Sequence, residues 1–443
     1  MNQWQHFMSN INLEQKIGDA GKLNFNLDYL LYDDNNPNNY LTNFLDADDQ
    51  LLKTEQTRSS KFTPINIKVG QVDYSNSFDG GLNYSAGFKI AKSEFTNTVS
   101  AETLNDNVWE FEDQFTNKSD LKENIIAGFA TVDFKINENN TFKAGLRYEY
   151  TDSKLNTDKE GSVVDRQFGQ FFPSIFYSRK INDAQSFNLS YSRRITRPTF
   201  NDMAPFAIFL DPNTFFFGNA SLQPATANNI KADYRLNSYM LSIQYSREDS
   251  TIARFQDRVN LSSNQQAYEP INLSNSENIS ANLSIPIYIG NNWTMQNNIL
   301  VLYSQAESYY DDVLVKLSNT NYNISTTQTL LLNNDYSIEL NAFYNSPSIS
   351  GRSKNESFYA VNFGAQKRFK DGSSLRFNVR DIFDSLEFRG GTDLSDQGFV
   401  TDGVFDFVNR TFSISYSRSF GNSKLKASRD RVTGSEDERK RVN

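Results

Sequence analysis

The chain repeats a two-residue rhythm of apolar and polar positions along almost its whole length. Between Asn140 and Tyr150, Phe142, Ala144, Leu146, Tyr148 and Tyr150 alternate with Lys143, Gly145, Arg147 and Glu149. Successive side chains of a strand point to opposite sides, so such a run predicts a strand with one apolar and one polar face. The same alternation recurs over 23–29, 82–90, 126–136, 187–191, 241–245, 279–289, 336–344, 359–365, 375–379 and 412–420. Counting every run predicts about 17 strands, with boundaries good to a few residues.

The connections fall into two kinds that alternate along the chain. Short polar turns are predicted at Gly18–Gly21, Asn76–Gly80, Asn137–Asn140, Asn182–Gln185, Leu236–Tyr239, Gly290–Asn292, Asn333–Asp335 and Lys370–Ser373. Long polar loops are predicted over Asp33–Arg58, Ser93–Lys122, Thr151–Gln167, Arg197–Pro224, Arg247–Ala267, Ala306–Val315, Asn345–Ser357 and Ile382–Arg410. A soluble sandwich has no need of this asymmetry, whereas a barrel in an outer membrane has short periplasmic turns and long outside loops. The expected fold is all-β: an antiparallel up-and-down transmembrane β-barrel over residues 1–421. Residues 422–443 are charged and lack apolar periodicity, so a loose, solvated tail is expected there.

Composition sharpens this picture. Of 443 residues only 38% are hydrophobic, yet 14% are aromatic, with 36 Phe and 22 Tyr. A chain polar on average but rich in aromatics suits a wide barrel with a wet interior and aromatic girdles outside. The net charge of −9 argues against nucleic acid as a partner. Cysteine is absent and His6 is the single histidine, which removes thiol chemistry and multi-histidine metal sites. No apolar stretch is long enough for a transmembrane helix. The first residues also lack the basic start and apolar core of a signal peptide.

Candidate chemistry is sparse. Arg193, Arg194 and Arg197 form a basic segment where a strand leaves the membrane, with Arg194 on the polar face beside Ser190 and Ser192. Guanidinium groups there suit an anionic substrate group. Pairing with neighbouring carboxylates along a wet barrel wall is the more economical expectation. The acidic clusters at Asp33–Asp34 and Asp46–Asp49 have no calcium-loop spacing and read as solvated loop residues. No phosphate loop, nucleophile elbow or paired-carboxylate motif stands out, so neither catalysis nor a cofactor is expected.

The stretch Tyr191–Pro224 resembles the outer-membrane barrels of TonB-dependent receptors, in the form common in Bacteroidetes. The resemblance rests on Arg194, Arg197 and Pro198, then Pro205–Phe206, Asp211–Pro212, and a Gly-Asn…Leu-x-Pro signature at Gly218, Asn219, Leu222 and Pro224. Ala220 and Ala225 stand where that family usually has Pro and Glu. Val379–Asp384 (VRDIFD) resembles a second motif before the final hairpin, and the closing strand fits as well. The resemblance implies a barrel of about 22 strands, a plug domain and a segment contacting TonB. About five strands, the plug and the export signal would then lie upstream of this chain, making it the C-terminal barrel portion of a receptor.

The resemblance places the chain in a Gram-negative outer membrane, with lipid around it and an unidentified bulky nutrient (siderophore, oligosaccharide, peptide or cobalamin) as its ligand. Contact with TonB would come only through N-terminal parts. Two rivals are an adhesive or structural surface barrel and, less favoured, a soluble β-rich enzyme or carbohydrate-binding protein. Whether the alternating apolar faces point outward or into a dry centre separates these readings.

Overall fold

The computed structural model describes residues 3–78, 80–204, 208–211, 214–260, 265–310, 313–333, 335–395, 399–406, 410–420 and 433–442. Seventeen wall strands follow one another in chain order. They are β1 Gln3–Ile17, β2 Gly21–Leu45, β3 Leu51–Phe78, β4 Leu82–Asn105, β5 Asn117–Asn137 and β6 Asn140–Thr157. Next come β7 Gly161–Lys180, β8 Gln185–Thr196, β9 Ala225–Leu236, β10 Tyr239–Asp249, β11 Asn275–Ile289 and β12 Trp293–Tyr310. The last are β13 Val313–Leu331, β14 Tyr336–Asn345, β15 Phe358–Arg368, β16 Ser374–Arg380 and β17 Thr411–Ser417. Each pairs antiparallel with its predecessor, so the sheet is one continuous meander. Among the described residues β1 and β17 are its two edges and do not pair with each other.

The short connections fall between the strands where they are expected. Asn237 sits in the two-residue turn joining β9 to β10 with φ +52°, a conformation asparagine tolerates better than most side chains. Four of the long connections differ from expectation. Asp33–Arg58, Ser93–Lys122, Thr151–Gln167 and Ala306–Val315 are mostly continuations of the wall strands rather than irregular loops. The ladder runs unbroken from Asn35 opposite Phe62 to Phe44 opposite Lys53, and from Ser308 opposite Val315 to Tyr310 opposite Val313. An antiparallel ladder is held by backbone hydrogen bonds and needs no lipid, so it continues wherever side-chain alternation persists. At the tip of the β2–β3 hairpin the Asp46 carboxylate accepts the Asp48 and Gln50 amides, both at 2.9 Å. This acidic cluster therefore shapes a turn.

The outward face is apolar. Leu27 is 59% exposed and Leu146 50%, and Phe88, Ile90, Ile126, Ile243 and Ile324 are likewise open to the outside. On β10, Tyr239 and Tyr245 bracket Leu241 and Ile243, as aromatic girdles bracket an apolar band. A run such as Leu82–Ile90, tilted as barrel strands are, spans about 20 Å of bilayer.

Toward the outer rim the parity of β2–β6 reverses. Leu30 and Tyr32, then Ile65, Ile67 and Val69, Ala91 and Phe95, Leu121 and Ile125, and Leu155 point inward and are buried. The outer part of the inner face on this side thus carries an apolar patch, interleaved with buried polar residues such as Thr63, Ser93, Asn97, Glu123 and Thr151, and needs a partner to cover it.

Candidate functional site: the outer mouth and its inner packing

That partner is the connection from β8 to β9. Helix α1, Phe200–Met203, starts with a reciprocal cap: the Asp202 amide donates to Thr199 Oγ1 at 3.0 Å and the Thr199 amide to Asp202 Oδ2 at 2.9 Å. Phe200, Met203, Ala204 and Leu222 are buried against Ile67, Phe95, Leu121 and Leu155, with the Phe200 and Phe95 rings 5.5 Å apart.

The Gly-Asn…Leu-x-Pro signature holds this connection together. A Cβ on Gly218 would lie 1.9 Å from the Ala204 carbonyl oxygen, so only glycine permits the approach. The Asn219 amide donates to the Asp202 carbonyl at 2.7 Å, and its side chain donates to the Pro270 carbonyl at 3.0 Å. Asn272 clasps the Gln223 backbone from both sides, at 2.7 and 2.9 Å. The Arg254 guanidinium grips the Asp202 carboxylate in two-pronged fashion at 2.8 and 2.7 Å. Burial would raise the Asp202 pKa, but Arg254 and the Thr199 donors outweigh it and hold the carboxyl below the usual aspartate range. The motif that carries the family resemblance is a brace across the inside of the wall.

The second motif is also structural. Asp381, fully buried with φ +51°, accepts the Leu386 amide at 2.8 Å and the Ser385 amide at 3.1 Å, while its own amide donates to Asn362. Burial opposes the charge on Asp381, yet these donors keep its pKa below the usual range. The result is a fixed corner from which Phe388–Gly391 departs.

The chain's C-terminal part, expected as a solvated tail, supplies further inner packing through its described residues 433–442. Helix α2, Glu436–Arg439, and the residues after it lie against the inner face. Arg441 pairs with Glu123 of β5, donates from Nε to the Pro198 carbonyl at 3.0 Å, and places its guanidinium 4.6 Å from the centre of the Phe200 ring. The Phe200 amide donates back to the Arg441 carbonyl at 2.9 Å. Lys89 of β4 donates to Glu438 at 2.9 Å, and the Gly434 amide to Asp28 at 2.9 Å. Val442 is 3% exposed. The gap left between Glu123, Thr151, Arg197 and Arg441 is about 20 Å³, room for about one water. The tail's charges meet opposite charges on the wall, which composition alone does not disclose.

The three candidate arginines part company. Arg197 pairs with Glu149 of β6 and donates to Thr151 Oγ1 at 3.0 Å, so the basic segment is tied into the wall network. Arg147 completes this cluster on Glu149. Arg194 is exposed beside Ser192 on the inward parity, and Arg193 has the outward parity of Leu189 and Tyr191. Arg193 and Arg197 each leave a buried Nε without an acceptor among the described residues.

Nearer the outside, short sheets from the later loops form a cleft of about 510 Å³, within the usual range for small-molecule sites. One wall carries Phe216, Phe255 and Tyr268, and the other Phe358 and Phe388. Sequence reasoning did not find it, because its residues come from four separate connections. The parity reversal, by contrast, has a visible signal: adjacent apolar pairs at Leu30–Leu31, Ile90–Ala91 and Ile125–Ile126.

Comparison with known proteins agrees with this architecture. The outer membrane protein beta-barrel family matches residues 15–417. The fold is similar to that of the pyoverdine outer membrane receptor FpvA from Pseudomonas aeruginosa PAO1, with 14% identity and TM-score 0.60 over 95% of this chain and 62% of that one. It is also similar to the copper transporter OprC (12%, 0.59, 86% and 61%). The ferric-catecholate import receptor Fiu from E. coli K12 is a third (10%, 0.56, 94% and 62%). The chain thus spans about three fifths of the length of these proteins. No curated protein matches it by sequence.

Proposed function

Since the chain belongs to the outer membrane protein beta-barrel family, we propose that it is the membrane wall of a TonB-dependent receptor that takes up a bulky nutrient. The outer loops capture the ligand, and the inner face forms its route. The observation carrying this reading is the division of the wall: an apolar outer belt for lipid, and an inner face whose charges are matched in part by a segment packed inside the wall rather than by wall neighbours alone. Glu123, Lys89 and Asp28 all bond to the C-terminal segment. These contacts lie outside the backbone ladder of the wall, so exchanging them as a passage opens leaves the wall intact. Coupling to TonB belongs to the same proposal, and no bond-making chemistry is assigned.

Deleting the gene and measuring growth and uptake on single nutrients tests the proposal. The expected result is a defect for one nutrient, restored by the intact gene. Unchanged uptake of every nutrient, together with loss of cell attachment, would replace it with the adhesive reading.

A further inference from the structure

The outer cleft carries more information than its position. Its aromatic walls are built: Phe216 packs 5.5 Å from Phe255 and 5.4 Å from Tyr268, and Phe358 lies 4.9 Å from Phe388. Phe255 is 64% exposed and held at φ +55°, a conformation that a bulky residue adopts only under constraint. The constraint is next door. Gln256, 1% exposed, donates to the Arg254 and Ser350 carbonyls at 3.0 and 3.2 Å and accepts the Arg352 amide at 2.7 Å. This ties the hairpin bearing Phe255 to the loop after β14, and the cleft is set before a ligand arrives. Gly390 and Gly391 line the cleft where a Cβ would strike the Lys354 and Thr401 carbonyls.

The charges decide what fits. Two arginines line the cleft, and both already hold carboxylates: Arg254 grips Asp202, and Arg389 grips Glu387. Two lining carboxylates, Glu356 and Asp402, make no ion pair among the described residues. The lining itself carries two cations and two carboxylates, and each arginine is already matched by a carboxylate beyond the lining, so an anionic ligand would meet Glu356 and Asp402 and compete with Asp202 and Glu387 for the guanidinium groups. What remains is flat apolar surface edged with acceptors: the two carboxylates, Asn355, and the hydroxyls of Ser348, Ser350, Ser353 and Thr401. A pyranose ring has that complement, with an apolar C–H face and a rim of hydroxyl donors. We infer that the cleft binds a neutral oligosaccharide, stacked between the Phe255 and Phe388 walls with its hydroxyls donating to Glu356 and Asp402. This rests on the uptake reading only for its purpose, since the binding itself needs no transport.

The test uses the full chain purified in detergent, applied to an array of neutral, uronic-acid and sulfated glycans and then titrated calorimetrically with the best neutral binder. Binding to a neutral glycan is expected, weakened at least about tenfold by Phe255→Ala, Phe388→Ala or Asp402→Ala, each checked for its folded mobility on unheated gels. Tenfold is about 1.4 kcal/mol, the scale of one lost stacking or hydrogen-bond contact. The inference is overturned by binding to acidic glycans alone, by binding to none, or by binding that all three folded variants retain. Oligosaccharide binding without any uptake defect in the deletion strain would defeat the transport reading and leave the cleft's ligand standing.

Discussion

Replacing Arg441 with alanine should release the C-terminal segment from the inner face. The guanidinium is 7% exposed, and its removal strands the equally buried Glu123 carboxylate. Breaking a buried pair by deleting one partner costs about 3–5 kcal/mol, and loss of the Phe200 contact adds about 0.5–2 kcal/mol. Each 1.4 kcal/mol is about tenfold, so the docking constant should fall by at least about 10²-fold. The Lys89–Glu438 and Gly434–Asp28 contacts remain but do not neutralise Glu123, and Arg166, which lines the same gap without pairing with that carboxylate, offsets only part of the loss. Because the chain contains no cysteine, Val442→Cys supplies a single thiol at a position 3% exposed. The assay is its rate of maleimide modification in detergent. Labelling should be slow in the single variant and about 10²-fold faster or more once Arg441→Ala is added. Glu123→Arg combined with Arg441→Glu should recover part of the protection, as a double-mutant cycle requires for a direct pair. Fast labelling of Val442→Cys alone, or equal rates with and without Arg441, would refute the reasoning.

Gly218→Ala should destabilise the brace by about 1–3 kcal/mol or more, because its Cβ would overlap the Ala204 carbonyl; the midpoint of denaturant unfolding should fall. Leu146→Arg on the outward face should cost about 2–4 kcal/mol in lipid, where Ser190→Arg on the inward face should cost far less; refolding into vesicles across a urea series compares them. The Asp202–Arg254 clasp should be pH-dependent with a definite sign. The Asp202 pKa is lowered in the folded chain, so its stabilisation is complete above the unfolded value near 3.8 and is lost as pH falls from there through the folded value. Asp202→Asn should weaken the brace at neutral pH and flatten that part of the acid profile, measured by proteolysis of the β8–β9 connection.

The architecture was legible in the sequence because a strand's side-chain period is two whatever surrounds it. The runs at 82–90 and 142–150 disclose which side is apolar, and the alternation of short and long connections discloses which end faces out. The resemblance at Gly218, Asn219 and Leu222 located a functional-looking segment without disclosing its task, because Arg254 and Asn272, which clasp it, come to it from elsewhere in the chain. The adjacent apolar pairs at Leu30–Leu31 and Ile125–Ile126 mark where the alternation changes sides, but only the tertiary structure decided what covers the face so formed, since a pattern names two faces but not their partners. It alone also decided that Arg197 meets Glu149, that the charged C-terminal segment is held inside, and that five aromatic side chains from separate loops form one cleft. Local periodicity is written in adjacent residues; charge pairing and cavities arise between residues far apart in the chain, and folding brings them together.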